Sequence, residues 1–329
     1  MLNKDINPNI FKRNIDKKSL RDGFGNGLLI SAGNNKDIVV LTADLEESTR
    51  VVDFKKKYPK RFFEVGVAEQ GLVTIASGMA SAGKIPFVTS FAAFSPGRNW
   101  EQIRTTIALN NVPVKIIGSH AGLSVGEDGA THQMLEDIAL MRVLPNMQVV
   151  APIDYEETKK AVIAISNIDS PTYLRFSRST STLITTEKTK FEIGKAYTLW
   201  EEKDPAVAII GCGPLLYEAL KAARALSKSG ISSLVINSHT VKPLDEQTIV
   251  RAARTAGAVV TVEDHQTAGG LGSVVAEVLA QNFPVPIEFI GVLGRFGQSG
   301  APAELYKEYG MTKEDIVKCV KKVLRRKNL

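Results

Sequence analysis

The sequence predicts an α/β protein made of two α/β domains, the first built on a parallel sheet. Three observations predict it. Short β-branched apolar runs alternate with longer stretches of helical period, the pattern of strands covered by helices on both faces. One Thr/Ser-rich stretch, RSTSTLITTEKTKFEI (178–193), interrupts the alternation, and a second alternation follows it. The chain has 329 residues, enough for two domains at roughly 150 residues each.

The elements read in order as follows. Residues 1–19 are polar and basic and read as a loose lead-in. A helical pattern covers about 20–33, then strands are expected at 37–44 and 61–67. The run AEQGLVTIASGMASAG (68–83) is helical, and IPFVTSF (85–91) is a strand. Helices about 98–110, 132–143 and 154–167 then alternate with strands at 114–119, 147–152 and 171–177. The first domain thus spans 20–180, a linker 181–193, and the second domain 194–329. In the second, AVAIIGCG (206–213) is a strand, and PLLYEALKAARALSKSG is a helix opened by proline and closed by glycine. Strands SSLVINS, AVVTVED and IEFIGVL follow, with helices near 245–256, 272–282, 302–309 and 312–326.

Composition narrows the function classes. Hydrophobic residues make up 44% and charged residues 23%, ordinary for a globular protein and far from a disordered or fibrous chain. No run of 18 uncharged apolar residues occurs, so no membrane-spanning helix is expected. The first twenty residues hold no apolar stretch of the secretory kind. Cys212 and Cys319 are too few for a disulfide framework or a zinc site, and free thiols fit a cytoplasmic protein. The net charge is +6. Lys313, Lys318, Lys321, Lys322, Arg325, Arg326 and Lys327 crowd the C-terminal helix. A basic tail can bind nucleic acid or anionic lipid. Without an aromatic or motif beside it, the plainer reading is a solvated amphipathic helix with Ile316, Val320 and Val323 inward, so neither nucleic acid nor membrane is expected as a partner.

Ligands of open α/β sheets gather at the carboxyl ends of the strands. Just past those ends lie Asp44 and Ser48, Glu69, Phe91 and Phe94, and His120 with the loop GLSVGEDGATH (122–132). Arg178 follows the last strand, and Arg21 opens the first helix. Each alone has a plain reading. Glu69 begins a helix, where an acid favours the dipole, and Phe91 and Phe94 could be core. Together they place acids, aromatics, two histidines and two arginines on one rim, which is how a catalytic site reads.

At these residues the sequence resembles a known family. FFEVGVAEQGLVTIASGMASAGKIPFVTSFAAF, followed by HAGLSVGEDGATHQ and LPNMQVVAP, resembles the pyrimidine-binding domain of transketolases. Residues 194–329, with VEDHQTAGGLGSVVAE, resemble the transketolase C-terminal domain. The resemblance implies thiamine diphosphate as cofactor. It implies that Glu69 is the carboxylate that hydrogen-bonds the aminopyrimidine and favours the imino tautomer that takes the thiazolium proton. Phe91 and Phe94 match the aromatic wall beside that ring, and Asp44 an acid near the cofactor. Arg21, Ser48, His120 and Arg178 match the set that grips a sugar phosphate. Asp128 matches an acid that reads a sugar hydroxyl, and His132 a catalytic histidine near the reacting carbon.

Three departures from the family pattern qualify this. No GDG motif occurs in the sequence, and no matching downstream Asn accompanies one. In the family those residues hold the Mg2+ or Ca2+ and the diphosphate. The third aromatic after the two phenylalanines is replaced by the stretch Ser95-Pro96-Gly97. Gln70-Gly71 follows Glu69 where long-chain transketolases carry histidine. No metal ligand is therefore expected in this chain. The resemblance implies the C-terminal subunit of a split transketolase, whose N-terminal partner subunit supplies the diphosphate half, in an α2β2 heterotetramer. Its reaction would move a two-carbon ketol unit from a ketose phosphate to an aldose phosphate.

The alternatives are a deoxyxylulose-phosphate synthase-like enzyme, which also carries VGVAEQ but usually has arginine at the position of His120, and the more distant oxo-acid dehydrogenase β subunits. A non-enzymatic binding chain leaves the rim unexplained. The glycine motifs GCG (211–213) and GGLG (269–272) could each cradle a phosphate. Without a full fingerprint, tight helix–strand packing is the expectation. His239 and His265 are likewise expected to be structural.

Overall fold

The computed structural model describes residues 1–327, which fold around one large and one smaller α/β sheet and a two-stranded ribbon. In chain order the first part runs β1 (Lys17–Ser19), α1 (Leu20–Asn34), β2 (Ile38–Thr42), α2 (Val52–Lys57), β3 (Phe62–Glu64), α3 (Glu69–Ser81), β4 (Ile85–Phe91) and α4 (Trp100–Gln102). It continues through β5 (Lys115–Ser119), α5 (Asp137–Arg142), β6 (Gln148–Val150), α6 (Tyr155–Ile165), β7 (Thr172–Arg175) and β8 (Thr180–Thr182). The remainder runs β9 (Tyr197–Glu201), β10 (Val207–Gly211), α7 (Leu216–Lys228), β11 (Ser233–Asn237), β12 (Thr240–Lys242) and α8 (Glu246–Ala256). It ends with β13 (Val259–Gln266), α9 (Leu271–Asn282), β14 (Ile287–Val292), α10 (Pro302–Glu308) and α11 (Lys313–Lys327).

The large sheet has the order β12-β6-β7-β5-β4-β2-β3, and its strands from β6 across to β3 run parallel to one another, with only the edge strand β12 antiparallel. Its central strands β2 and β5 are buried along their whole length, as the apolar runs required. The smaller sheet, β14-β13-β10-β11-β9, is parallel except for the antiparallel edge strand β9.

Local choices in the sequence seat these elements. Ser19 caps α1 by accepting from the Arg21 N–H. A Cβ at Gly23 would stand 2.4 Å from the Tyr155 carbonyl, and one at Gly27 2.8 Å from that of Lys159. The two glycines therefore let α1 lie directly against α6, and that close seat sets where Arg21 emerges.

Several expectations are corrected. The lead-in is not loose, because the start of the linker holds it: β1 pairs antiparallel with β8, and Ile6 and Ile10 are buried. Lys17 and Lys18 hide that strand from a hydrophobic count. The helix expected at 98–110 is α-helical only to Gln102 and continues as a π-helix over Ile103–Ala108. There the Thr105 and Thr106 hydroxyls donate to the carbonyls four residues back, competing with the regular ladder. The helix expected from 132 begins at Asp137, since residues 129–136 are committed to loop contacts described below. Strands β9 and β12 were not foreseen. β12 lies late in the chain yet pairs antiparallel with β6, so residues of the second half complete the large sheet.

The two halves share one core. Val149, Ala151 and Tyr173 pack in the same cluster as Ile210, Cys212, Ile236 and Leu271.

The C-terminal helix follows the plainer reading. Ile316, Val320 and Val323 are buried, Lys322 and Arg326 both bind Glu288, and Lys327 Nζ caps the Ala256 carbonyl at 2.8 Å. Among the described residues no helix is long and apolar enough to cross a membrane.

Candidate active site

The sheet brings the expected residues to the carboxyl ends of its strands. Two residues past the end of β2 stands Asp44, whose φ of 58° is left-handed. Glu64 holds that turn, its Oε1 accepting from Asp44 N at 2.9 Å and Gly66 N at 2.8 Å. The Asp44 side chain is exposed. Glu69 is the first residue of α3 and is 5% exposed. Arg98 Nη1 reaches its two oxygens at 3.1 and 3.2 Å, and Asn99 Nδ2 donates to its carbonyl at 2.8 Å.

An aromatic cluster stands beside this acid. Phe91 and Phe94 stack with centroids 5.8 Å apart, and the His120 ring stacks on Phe91 at 3.7 Å. His132 meets the Phe94 ring edge-on at 5.4 Å. The Arg98 guanidinium lies 4.3 Å from the Phe94 centroid, tying the acid to the aromatic wall.

The far end of the site is cationic. Arg21 Nη1 donates to the Ser48 carbonyl at 3.2 Å, so it is the Ser48 backbone rather than its hydroxyl that meets the guanidinium. The Arg21 Nε is buried without a partner. Arg178 Nη1 donates to the Val125 carbonyl at 2.8 Å and stands 3.7 Å from Asp128. His120 has a left-handed φ of 57° and its Nδ1 lies 2.8 Å from the Ser119 hydroxyl. Burial, reinforced by the charges of Arg21 and Arg178, pushes the His120 imidazole down to about 3. It is neutral at physiological pH. If the Ser119 hydroxyl donates to Nδ1, Nε2 carries the proton and is free to donate to a ligand.

The structure thus brings Phe91, Phe94, His120 and His132 into direct contact, pairs Arg21 with Ser48, and sets Arg178 near Asp128. Asp44 makes no such contact and stands at the rim. Sequence reasoning missed Arg98, Asn99 and Glu64. Arg98 follows Phe94 by four residues and Asn99 comes next, a helical spacing that could have flagged them. Chemically, the arrangement offers a stacking wall and an edge carboxylate for a flat nitrogen heterocycle, and a guanidinium pair with a neutral imidazole for a tetrahedral anion.

Comparison with known proteins identifies the arrangement. The sequence model of the transketolase pyrimidine binding domain matches residues 16–182, and that of the transketolase C-terminal domain matches residues 194–316. The chain belongs to the transketolase family. It is 43% identical, over 94% of its length and 97% of the relative's, to a protein of Methanocaldococcus jannaschii described as a transketolase C-terminal section. It is 39% identical, over 97% of its length and 98% of the relative's, to the 6-deoxy-6-sulfo-D-fructose transketolase subunit SqwH of Clostridium sp. (strain MSTE9). A split-gene transketolase, solved as an inactive β4 tetramer, superposes with a TM-score of 0.88 at 42% identity, covering 94% of this chain and 99% of that one.

Transketolase membership implies thiamine diphosphate, and the residues present fit the pyrimidine half of it. Glu69 is a buried carboxyl group joined through Arg98 to a stacked phenylalanine pair, the polar edge and flat apolar wall that an aminopyrimidine ring requires. Among the described residues no group of three or more His, Cys, Asp or Glu stands placed to hold a metal ion.

The glycine motifs of the second half are packing devices, as expected. The N-terminus of α9 is already occupied by a carboxyl group: Glu263 accepts from Leu271 N and Gly272 N at 2.7 Å each. A Cβ at Gly211 would meet the Val262 carbonyl at 2.7 Å. His239 is buried and stacks on Phe191 at 4.3 Å, and His265 Nδ1 lies 2.7 Å from the Gln266 carbonyl.

Proposed function

We propose that this chain is the C-terminal subunit of a split, thiamine diphosphate-dependent transketolase. It works with a partner subunit that holds the diphosphate and its divalent cation, and self-association of this chain gives an α2β2 assembly. The reaction moves a two-carbon ketol unit from a ketose phosphate to an aldose phosphate. When bound, the cofactor supplies the electron sink for cleavage and formation of the carbon–carbon bond.

The residues of this chain divide the remaining work. Glu69 binds the aminopyrimidine edge and holds its proton. Phe91 and Phe94 clamp the ring face, and Asp44 stands at the rim of that site. Arg21, Arg178, the Ser48 turn and His120 grip the anionic end of the sugar. Asp128 and His132 orient hydroxyls near the reacting carbon, and His132 is placed to move a proton there. The observation that carries the reading is the continuity of the site: one stack of rings runs from the Glu69–Arg98 pair to His120, where the cationic end begins.

A second reading concerns the sugar. One relative of nearly equal length is a 6-deoxy-6-sulfo-D-fructose transketolase subunit, and another, 38% identical, is an apulose-4-phosphate transketolase subunit from Phocaeicola vulgatus. A sulfonate and a phosphate are both tetrahedral anions that two guanidiniums accept.

The test mixes this chain with a partner subunit carrying the GDG motif, thiamine diphosphate and Mg2+. Xylulose 5-phosphate, apulose 4-phosphate and 6-deoxy-6-sulfofructose are offered in turn with an aldose acceptor. Activity in the mixture alone, with one of these donors, supports the reading and selects the sugar. Turnover by this chain without a partner, or none with any ketose, overturns it.

A further inference from the structure

The loop that carries Asp128 and His132 is held in place from the other sheet. Asp264, at the carboxyl end of β13, is 5% exposed and points into the start of that loop. Its Oδ1 accepts from Leu123 N at 2.9 Å, and its Oδ2 accepts from the Tyr306 hydroxyl of α10 at 2.9 Å. Gly122 is left-handed, and a Cβ there would stand 2.2 Å from Asp264 Oδ2, so the carboxylate and the loop backbone are in direct contact. Arg175 Nη2 donates to the Asp264 carbonyl at 2.6 Å and fixes the strand end. Two residues beyond Leu123, the Val125 carbonyl accepts from Arg178. The loop's far end is tied the same way. Gln133 Nε2 donates to the Gly126 carbonyl at 3.1 Å and to the Gln298 carbonyl, in the segment before α10, at 3.0 Å.

We propose that Asp264 is a positioning residue: through Leu123 it sets the 122–132 loop, and with it the site of Arg178, which receives the anionic end of the sugar, and the place of Asp128 and His132, which orient its hydroxyls. This rests on the substrate assignment above for its kinetic part. A carboxyl group is suited to the task because two convergent donors, one a backbone N–H, fix its plane and hence the loop. Glu69 begins α3 and Phe91 ends β4, neither of which Asp264 touches, so the acid should keep its place while the loop, with His132 against the Phe94 ring, shifts.

The experiment uses the complex with the partner subunit and compares Asp264→Ala with Asp264→Asn. Asparagine can still accept from Leu123, and its N–H2 can donate to a Tyr306 hydroxyl that turns about. D264A is expected to speed amide exchange across residues 122–132 by about tenfold or more while that of residues 69–81 stays unchanged. It is expected to raise KM for the ketose phosphate about tenfold and to lower kcat by a smaller factor, because His132 rides on the same loop, with cofactor affinity within about twofold. D264N should stay near the native values. Should D264A fail to assemble, Tyr306→Phe, which leaves Oδ2 without its donor, should shift KM in the same direction. Unchanged loop exchange in D264A (or in Y306F if that variant is used), a uniform rise through both sheets, or an active complex whose KM does not move would each overturn the proposal. A complex inactive toward every ketose would instead remove the substrate assignment, and the exchange measurement would still decide whether Asp264 holds the loop.

Discussion

Arg98 Nη1 meets both carboxylate oxygens of Glu69, at 3.1 and 3.2 Å, while its guanidinium covers the Phe94 ring. One side chain therefore fixes the direction of the acid and the face of the aromatic wall together. The Arg98 side chain is 53% exposed and Glu69 only 6%, so solvent screens the pair from the arginine side. Arg98→Ala should accordingly lower stability by only about 1 kcal/mol. Its kcat in the assembled complex should fall more, about tenfold, because the freed carboxylate no longer faces one direction. Thermal unfolding and steady-state kinetics on the same preparation check this; a loss of activity no larger than the loss of stability would remove the orienting role.

Glu69→Gln preserves the shape of the acid and removes its ability to hold the proton. The expected outcome is a kcat lowered by about 100-fold or more, with assembly to the partner subunit unchanged by size-exclusion chromatography. Retention of a tenth or more of the native rate would take the catalytic role from Glu69.

His120 is neutral well below pH 7, since burial and the nearby guanidiniums of Arg21 and Arg178 press it down to about 3. Its contribution to sugar binding should therefore be flat between pH 6 and 8. His120→Ala should raise KM for a ketose phosphate by about tenfold, by the same factor at both pH values. A factor that changes with pH would mean that the imidazole titrates in this range.

Glu157 gives the stability a pH dependence. Its Oε2 accepts from Ile153 N and its Oε1 from Asn237 Nδ2, each at 2.7 Å, at the junction of the two sheets. Burial, with the charge of Asp154, pushes it up to about 8. Between the unfolded value near 4.5 and 8, the folded chain holds a proton that the unfolded chain has lost. Stability from this group is complete below about 4.5 and is lost as the pH rises to 8. The buried His239 and His265, both pushed down to about 4 by burial, act in the opposite sense on the acid side. Glu157→Gln removes the first effect. The melting temperature of E157Q should fall less than the native one between pH 5.5 and 8.5, and parallel curves would contradict this assignment.

Ile10 is fully buried in a segment whose sequence is polar on average. Ile10→Ala should destabilise the protein by about 2–5 kcal/mol, the range for a buried isoleucine. Denaturant unfolding measures it, and no change would mean that the N-terminal segment is the loose lead-in its composition predicts.

Much of the site was legible because its residues follow strand ends at fixed offsets. Glu69, Phe91, Phe94 and His120 each stand at a point where an apolar run stops, and any parallel sheet brings such points to one edge. Arg98 was not legible because its role depends on how the turn after β4 folds back onto α3. The ribbon of β1 and β8 was hidden for another reason. Lys17, Lys18 and the threonines of 180–182 carry no apolar alternation, and their pairing is decided by partners more than 160 residues away.

The sequence by itself determined the two α/β alternations, the family and the rim of chemical groups, since hydrophobic period and residue order are local properties of the chain. Only the tertiary structure decided how the two halves lock. It set β12 into the first sheet, Asp264 onto the backbone of the loop before Asp128, and Glu263 onto the helix end that a phosphate could have taken. These are contacts between groups distant in sequence, and they exist only once the packing of both sheets has brought donor and acceptor within hydrogen-bond reach.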